Sequence, residues 1–482
     1  MRKRFIENLA FFLTLNLLIK PIYVFGIDRV VQNTVGTEVY GSYFPLFNLV
    51  IILQIFLDLG IENFTRKEIA SSPGMANRLF SKFLILKLLL IVLFISILSI
   101  AGLFLPQSKG EWKILFILLI NQSMANLILF LRANMGGLQL FKTESLVSVF
   151  DRLLMIMICG TLLFMPLTKN IFKIEWFVLS QTVAYAFTLL VSLIIIIKKS
   201  GIPKIQFNIA SYLPVLKQLL PYATLVLLMA FYYRIDSVFL RYFLSDGKEQ
   251  AGIYAHGFRI LDFMSNYALI FSFILLPTFA NMIRQKESVS SLLRLAFLTL
   301  TVPSLALLSG IVFYRYEVFD LLYVDHVSVS ADIFTVFIIS YTGVCFSYTF
   351  GALLTANGNL KELNLMALFA VLISVVLNLI LIPKYKVAGA AIANAVAQTF
   401  TIVFHVVVTK KKFLLKTNSS LLLKFLSFIV FTALIGYLVS STKINWFIGL
   451  LVIDIFSFAF AITIRLINLS KAKALLFSKT DE

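Results

Sequence analysis

Long runs of apolar residues, separated by short polar segments, recur from one end of the chain to the other. A helix needs about twenty mostly apolar residues to cross a bilayer. The predicted spans are 9–27, 44–62, 80–103, 113–132, 147–167, 174–197, 213–240, 253–279, 293–314, 332–355, 362–383, 387–409, 421–440 and 445–467. No segment between them is long enough to fold as a soluble domain. The pattern therefore predicts an all-α, polytopic membrane protein with about fourteen transmembrane helices.

Lys and Arg residues are distributed unevenly between alternate connecting segments. If the N-terminus is cytoplasmic, the cytoplasmic segments hold more than twice as many of these residues as the outer segments. Cytoplasmic loops of membrane proteins are enriched in Lys and Arg. The bias predicts a multi-pass protein of a bacterial cytoplasmic (inner) membrane, with both termini in the cytoplasm. The first apolar run has no A-x-A cleavage site after it, and we expect it to be a retained helix.

The composition agrees with this class, because 60% of the residues are hydrophobic and 13% are charged, against about 25% charged in soluble domains. The net charge of +19 comes from short runs between apolar segments, without a nucleic-acid-binding motif. It therefore indicates topology rather than nucleic-acid binding. Two cysteines and three histidines, all far apart, indicate no metal site. Because G-x-x-x-x-G-K-S/T, H-E-x-x-H and G-x-S-x-G are all missing, we expect no cofactor and no enzymatic activity.

Several charged residues fall within or beside the predicted spans. The cations are Lys20, Lys87, Arg152, Arg234, Arg241 and Arg259, and the carboxylates are Asp28, Asp58, Asp151, Asp236 and Asp262. A Lys or Arg near the bilayer centre costs roughly 3 kcal/mol, so such residues usually face a protein interior or an aqueous cavity.

A structural interpretation applies to some of these charges. Arg259 and Asp262 are three residues apart on one helical face and can neutralise each other. Asp151 and Arg152 are adjacent and lie near the start of a span, where snorkelling is inexpensive. Lys87 is also within reach of the cytoplasmic surface. For these residues the structural and the functional interpretation both stay open.

Lys20 and Arg234 lie deeper in their spans, and Pro21 favours a bend directly after Lys20. The segments that begin at these two cations align at a constant offset of 214, from position 20 to position 234. At that offset Val24, Phe25, Tyr40 and Phe44 meet Val238, Phe239, Tyr254 and Phe258. An internal repeat therefore places one intramembrane cation at the same point of the first and the seventh span.

The repeat predicts a domain organisation. Residues 1–200 form an N-terminal lobe of six helices, residues 201–412 form a second such lobe, and residues 413–482 hold two accessory helices and a cytoplasmic tail. Facing lobes would bring both cations to one central cavity, as in transporters that are built from internal repeats. A cationic cavity favours a phosphate or carboxylate guest.

Four motifs resemble the polysaccharide biosynthesis branch of the MOP exporter superfamily. They are Val35-Gly36 through Tyr40-Gly41-Ser42-Tyr43-Phe44, then Asp58-Leu59-Gly60-Ile61, then Leu354-Thr355-Ala356-Asn357-Gly358, and finally Asn378 to Tyr385 followed by Gly389-Ala390-Ala391-Ile392-Ala393-Asn394. The resemblance covers nearly the whole chain. Lys386 departs from it, because the family usually has Gly after the Pro-x-Tyr sequence.

The resemblance implies a flippase for lipid-linked oligosaccharides in the assembly of O-antigen lipopolysaccharide or another surface polysaccharide. Such a substrate has a polyprenyl tail, a phosphate or pyrophosphate and a sugar headgroup, and polysaccharide polymerase machinery is a possible further partner beside membrane lipid. The candidate substrate-binding residues are Lys20, Arg152, Arg234, Arg241 and Arg259, and the candidate gating or ion-coupling residues are Asp28, Asp236 and Asp262. Two alternatives stay open, namely a related exporter of small molecules and a membrane-embedded glycan polymerase.

Overall fold

The computed structural model describes residues 2–105, 108–203, 212–415 and 419–467. Within these ranges all regular elements are helical, which confirms the all-α, polytopic prediction. The α-helices are α1 (Arg2–Pro21), α2 (Arg29–Val35), α3 (Thr37–Leu53), α4 (Ile61–Ser71), α5 (Ala76–Leu103), α6 (Lys109–Gly137), α7 (Phe141–Phe164), α8 (Pro166–Lys169), α9 (Ile174–Ser200), α10 (Leu213–Phe243), α11 (Gly247–Arg284), α12 (Ser290–Phe313), α13 (Arg315–Leu322), α14 (Val327–Ala356), α15 (Leu360–Phe413), α16 (Ser419–Ser440) and α17 (Trp446–Thr463).

Twelve helices in the described part are long and apolar enough to cross a membrane. One of them, α15, has 54 residues; a straight helix of that length would span about 80 Å, enough for two crossings. Its backbone leaves the helical conformation at Lys386, where φ is 51°. The chain turns back there, which brings Gly389 against Leu381, eight residues earlier. A Cβ atom on Gly389 would collide with the carbonyl oxygen of Leu381. The turn lies between the predicted spans 362–383 and 387–409, while the total of fourteen spans stays a prediction.

The first two predicted spans are interrupted in ways that hydropathy does not reveal. After Pro21, which lacks a backbone N–H, residues Ile22–Asp28 form a π-helix that continues into α2. The span predicted for 44–62 ends earlier, in a 3₁₀ turn at Gln54–Leu57. Left-handed conformations at Leu59 (φ 49°) and Gly60 (φ 87°) then separate that turn from α4. The interruption places the Asp58 carboxylate beside the start of α4.

The chain forms two compact units, Met1–Gly252 and Ile253–Glu482, so the division falls within α11. In the first unit α6 packs against α3, α4 and α9, and α1 packs against α7. An aromatic and aliphatic core joins α5 and α6, where the rings of Phe80 and Phe130 stack with their centroids 6.1 Å apart. The predicted lobe boundary at 200/201 stays a prediction.

The second unit packs α14 against α15, and α12 against α14, α16 and α17. Aromatic side chains fill these contacts, as where Phe297 of α12 meets Phe346 of α14 at 4.5 Å between ring centroids. Phe431 of α16 and Phe460 of α17 stack at 4.0 Å. The accessory helices therefore pack on α12. The predicted tail after residue 467 lies outside the described residues. So do Lys204 and Lys416, two of the cytoplasmic lysines that contribute to the predicted charge bias.

Candidate functional site

A polar face of α10 carries two of the predicted intramembrane cations. Arg234, Ser237 and Arg241 are spaced by three and four residues, which places them on one side of a helix. The Nη1 atom of Arg234 donates a hydrogen bond to Oδ1 of Asn48 on α3 (3.0 Å). The amide of Asn48 in turn donates to the hydroxyl of Ser237 (2.9 Å). Asn48 and Ser237 are both fully buried, so Arg234 is oriented by a desolvated polar pair.

At one end of α10 this face forms an ion-pair cluster. Glu111, at the start of α6, lies 2.7 Å from Nη2 of Arg241 and 3.6 Å from Nζ of Lys248. Glu111 also completes a capping box, since its backbone N–H donates to the Ser108 hydroxyl and its carboxylate accepts from the Ser108 N–H. The carboxylate is therefore fixed by the helix start as well as by two cations. We call Glu111, Arg241 and Lys248 the Glu111 cluster.

Beside the Glu111 cluster the backbones of α3 and α11 approach closely. A Cβ atom on Gly41 would collide with the carbonyl oxygen of Lys248, and one on Gly252 would collide with that of Thr37. Only glycine allows two helices to approach this closely at both positions. This glycine contact lies at the end of the first unit that the charge bias predicts to face outward.

A cavity of about 330 Å³ adjoins the Glu111 cluster. Among the residues that line it are Ser42, Ser108, Glu111, Lys173, Glu175 and Lys248. Val39, Ile114 and Phe172 also line it, so the cavity combines hydroxyl groups and charges of both signs with apolar side chains.

The other predicted cations of the first unit lie around α1 and α7. Lys20 is in the last turn of α1, directly before the π-helix. Arg152 on α7 lies over the ring of Tyr23 in the π-helix (4.7 Å to the centroid), and its Nη1 donates to the Tyr185 hydroxyl at 3.2 Å. It also lies 3.5 Å from the carboxylate of Asp151. Single π turns are frequent at functional sites, so this region is a second candidate for contact with substrate.

The predicted gating carboxylates have different surroundings. Asp28 is buried and accepts a hydrogen bond from the Tyr40 hydroxyl (3.1 Å to Oδ1). Asp236 is fully buried. Arg259 and Asp262 lie on α11 in the second unit, both half-buried. A shared cavity for Lys20 and Arg234 stays a prediction.

Lys87 was expected within reach of the cytoplasmic surface, but the structure places its side chain in the protein interior. The side chain is fully buried and its ammonium contacts Asp58, Glu62 and Asn126. Within the described ranges no group of three or more His, Cys, Asp or Glu could hold a metal ion.

The sequence alone does not identify Asn48, Glu111 or Lys248 as residues of this site. The sequence Ser108-Lys109-Gly110-Glu111 has the spacing of a capping box and marks the start of α6. Nothing in the sequence signals that the same carboxylate meets Arg241, because that contact depends on how α6 and α10 pack.

A family model described as "Polysaccharide biosynthesis protein" matches residues 6–283. A comparison with curated protein sequences finds no match.

Solved structures of membrane transporters share the fold. The lipid II flippase MurJ in an inward closed conformation matches with a TM-score of 0.68 and 15% identity, covering 94% of this chain and 98% of that one. An inward-facing multidrug resistance MATE transporter of the MOP superfamily matches with a TM-score of 0.61 and 15% identity, covering 83% and 94%. A MOP superfamily transporter from Pyrococcus furiosus matches with a TM-score of 0.57 and 16% identity, covering 84% and 94%. The chain therefore has the MOP fold.

Proposed function

The chain belongs to the polysaccharide biosynthesis protein family, and on that basis we propose that it is a flippase rather than an enzyme. In this proposal it moves a polyprenyl phosphate- or pyrophosphate-linked oligosaccharide across the cytoplasmic membrane for O-antigen or another surface polysaccharide. The observation that carries the proposal is Arg234, a cation inside a membrane-spanning helix that is oriented by the buried amide of Asn48.

A cation in this position is suited to bind an anionic group of a substrate. Removing a guanidinium from water is expensive, and intramembrane Arg residues therefore mark substrate or ion pathways. Phosphate oxygens accept two parallel hydrogen bonds from a guanidinium, which a neutral sugar cannot match in strength. The phosphate or pyrophosphate of the carrier would meet Arg234 and Lys20, with Arg152, Arg241 and Arg259 as further contacts, while the polyprenyl tail stays in lipid.

The transport cycle that we propose is alternating access. The cavity opens to the cytoplasm, binds the headgroup and then opens outward to release it. In this proposal the Glu111 cluster and the glycine contact, which lie at the predicted outer end of the first unit, separate when the headgroup is released. Asp28, Asp236 and Asp262 are proposed to couple this change to an ion or to gate it. Both termini are proposed to be cytoplasmic, with polymerase machinery receiving the product.

The test is complementation in a strain that lacks the gene. Lys20→Ala and Arg234→Ala should abolish the surface glycan while the protein stays in the membrane at its normal level. Lys169→Ala, an exposed cation outside the candidate spans, should leave the glycan intact. Full glycan in both intramembrane variants would refute the proposal.

The similarity to a multidrug resistance transporter makes export of small molecules the second candidate. An organic cation would be repelled by Arg234 and Lys20, so we expect overexpression to give no drug resistance. Resistance that persists in Arg234→Ala would favour this alternative. A glycan polymerase would instead lengthen a labelled lipid-linked sugar when the purified protein is added.

A further inference from the structure

The buried ammonium of Lys87 lies in a cage of oxygen atoms. Its Nζ atom donates to Oδ1 of Asp58 at 2.6 Å, to Oδ1 of Asn126 at 2.7 Å and to Oε1 of Glu62 at 3.4 Å. The three oxygens belong to the interruption before α4, to α6 and to α4, while Lys87 belongs to α5. The side chain of Lys87 is fully buried. All three ammonium donors therefore have an acceptor without help from water.

The cage oxygens are held in place by groups other than Lys87. The Asp58 carboxylate accepts hydrogen bonds from the backbone N–H groups of Gly60 (3.0 Å) and Glu62 (3.1 Å). The amide of Asn126 donates to the same Glu62 oxygen that faces Lys87 (3.4 Å). The left-handed residues Leu59 and Gly60 fix the turn that carries Asp58. Because of these contacts, we expect the cage to keep its geometry when the ammonium is removed.

Two carboxylates and an amide oxygen are ligands that hard cations prefer. A lysine ammonium resembles a small monovalent cation in charge and in its demand for oxygen acceptors, but it is covalently attached. We propose that this cluster is a monovalent-cation site that the chain fills with its own Lys87, so that shortening this side chain opens a site for Na⁺. The inference concerns ion binding alone and holds whatever molecule the protein transports.

An ordinary buried ion pair makes a different prediction. Removing one partner of such a pair leaves the other charge buried and destabilises the protein, and any salt would then screen the leftover charge equally. A cation site is selective, because only an ion small enough to enter the cage restores the missing contacts. Selectivity for Na⁺ over a large organic cation therefore separates the two interpretations.

The experiment measures the Tm of the full-length protein in detergent as NaCl replaces choline chloride at constant ionic strength. Lys87→Ala, purified in NaCl, should show a saturable rise in Tm that exceeds the wild-type response, and the double variant with Asp58→Asn should lose that excess. If Lys87→Ala does not fold, Lys87→Ser provides the same space with a small polar group. Lys87→Met fills the space without charge and should show no excess response.

Equal responses to NaCl and choline chloride in Lys87→Ala and Lys87→Ser would overturn the proposal. So would an excess Na⁺ response that survives Asp58→Asn, since the site would then lie elsewhere. A response to CaCl₂ without one to NaCl would overturn the assignment to a monovalent ion.

Discussion

In the first unit the buried ammonium of Lys87 has three oxygen acceptors, whereas in the second unit the Oδ1 atom of Asp454 is buried without a hydrogen-bond partner. Asp454 lies on the membrane-spanning helix α17, and its carboxylate is so close to Gly310 of α12 that a Cβ atom there would collide with it. The charge of Lys87 is thus matched by groups on other helices, while the Asp454 carboxylate fits only because Gly310 lacks a side chain.

The difference indicates how each unit specifies its packing. Asp58, Glu62, Lys87 and Glu111 join separate helices through directional contacts, which penalise any other arrangement. The second unit relies more on rings, as in the contact of Phe297 with Phe346. Shape and apolar contact specify such a core, and they tolerate change as long as volume is kept.

The two units nevertheless share one pair of stacked aromatic rings. Tyr40 and Phe44 stack in the first unit with centroids 6.1 Å apart and 22° between the rings. Tyr254 and Phe258, at the offset of 214, stack in the second unit at 5.5 Å and 24°. The repeat therefore preserves ring packing at these positions in both units.

The largest effect is expected from Gly252→Val. Its side chain would collide with the Thr37 carbonyl oxygen, and overpacking of this kind costs about 3 kcal/mol or more when backbone must move. We expect a large loss of Tm and of surface glycan in the complementation assay. Gly74→Ala is the control, since a Cβ atom there meets nothing within 4 Å. A Gly252→Val protein with wild-type Tm would show that the contact of α3 with α11 is not close.

Glu111→Ala should destabilise the first unit by about 2 to 3 kcal/mol, because Arg241 would lose its carboxylate in a mostly buried position. Thermal unfolding in detergent measures the effect, and a double-mutant cycle with Arg241→Ala should give a coupling energy above about 1 kcal/mol. Glu175→Ala, at the rim of the same cavity, serves as the control. Additive single-variant effects would refute the ion pair.

Stability should depend on pH through Glu62, which lies in α4 outside the candidate spans. Burial and the neighbouring Asp58 charge raise the pKa of Glu62 from 4.5 to about 7. A carboxyl with a raised pKa stabilises the fold below about 4.5 and loses that contribution as the pH rises through 7. The effect is on the order of 1 to 2 kcal/mol.

Tm measured from pH 4.5 to pH 8 should therefore fall in the wild type and fall less in Glu62→Gln. Glu68→Gln, on the same helix, should keep the wild-type slope. Identical slopes in all three proteins would contradict the assignment to Glu62.

The smallest expected effect is a gain in stability rather than a loss. Asp454→Ala removes a buried oxygen that has no hydrogen-bond partner, which should stabilise the second unit by about 1 kcal/mol. An increase in Tm checks this, with the exposed Asp320→Ala as a neutral control. A decrease in Tm would show that the Asp454 carboxylate makes a favourable contact, and the contrast between the units would then be weaker.

The sequence predicts the helices well because hydropathy determines them. The span predicted for 174–197 is observed as Ile174–Ser200, and that for 421–440 as Ser419–Ser440. The interruption at Asp58 was missed, since apolar residues continue through it and the left-handed turn depends on local backbone geometry. Contacts between distant residues were missed for a different reason. Lys87 and Asp58 are 29 positions apart, and only the packing of α5 against the interruption brings them together.

The turn at Lys386 has a consequence for how the protein reaches the membrane. Two apolar stretches, 360–385 and 387–413, meet at a single residue outside the helical conformation, so the only charged residues at the turn between them are Lys384 and Lys386. Residues 360–385 include 19 hydrophobic residues and residues 387–413 include 17. Leaving either stretch in water while the other enters the bilayer would expose these side chains, at a cost of about 0.8 kcal/mol for each methylene group that is not buried. We therefore expect the two stretches to enter the membrane together during biogenesis, as one helical hairpin.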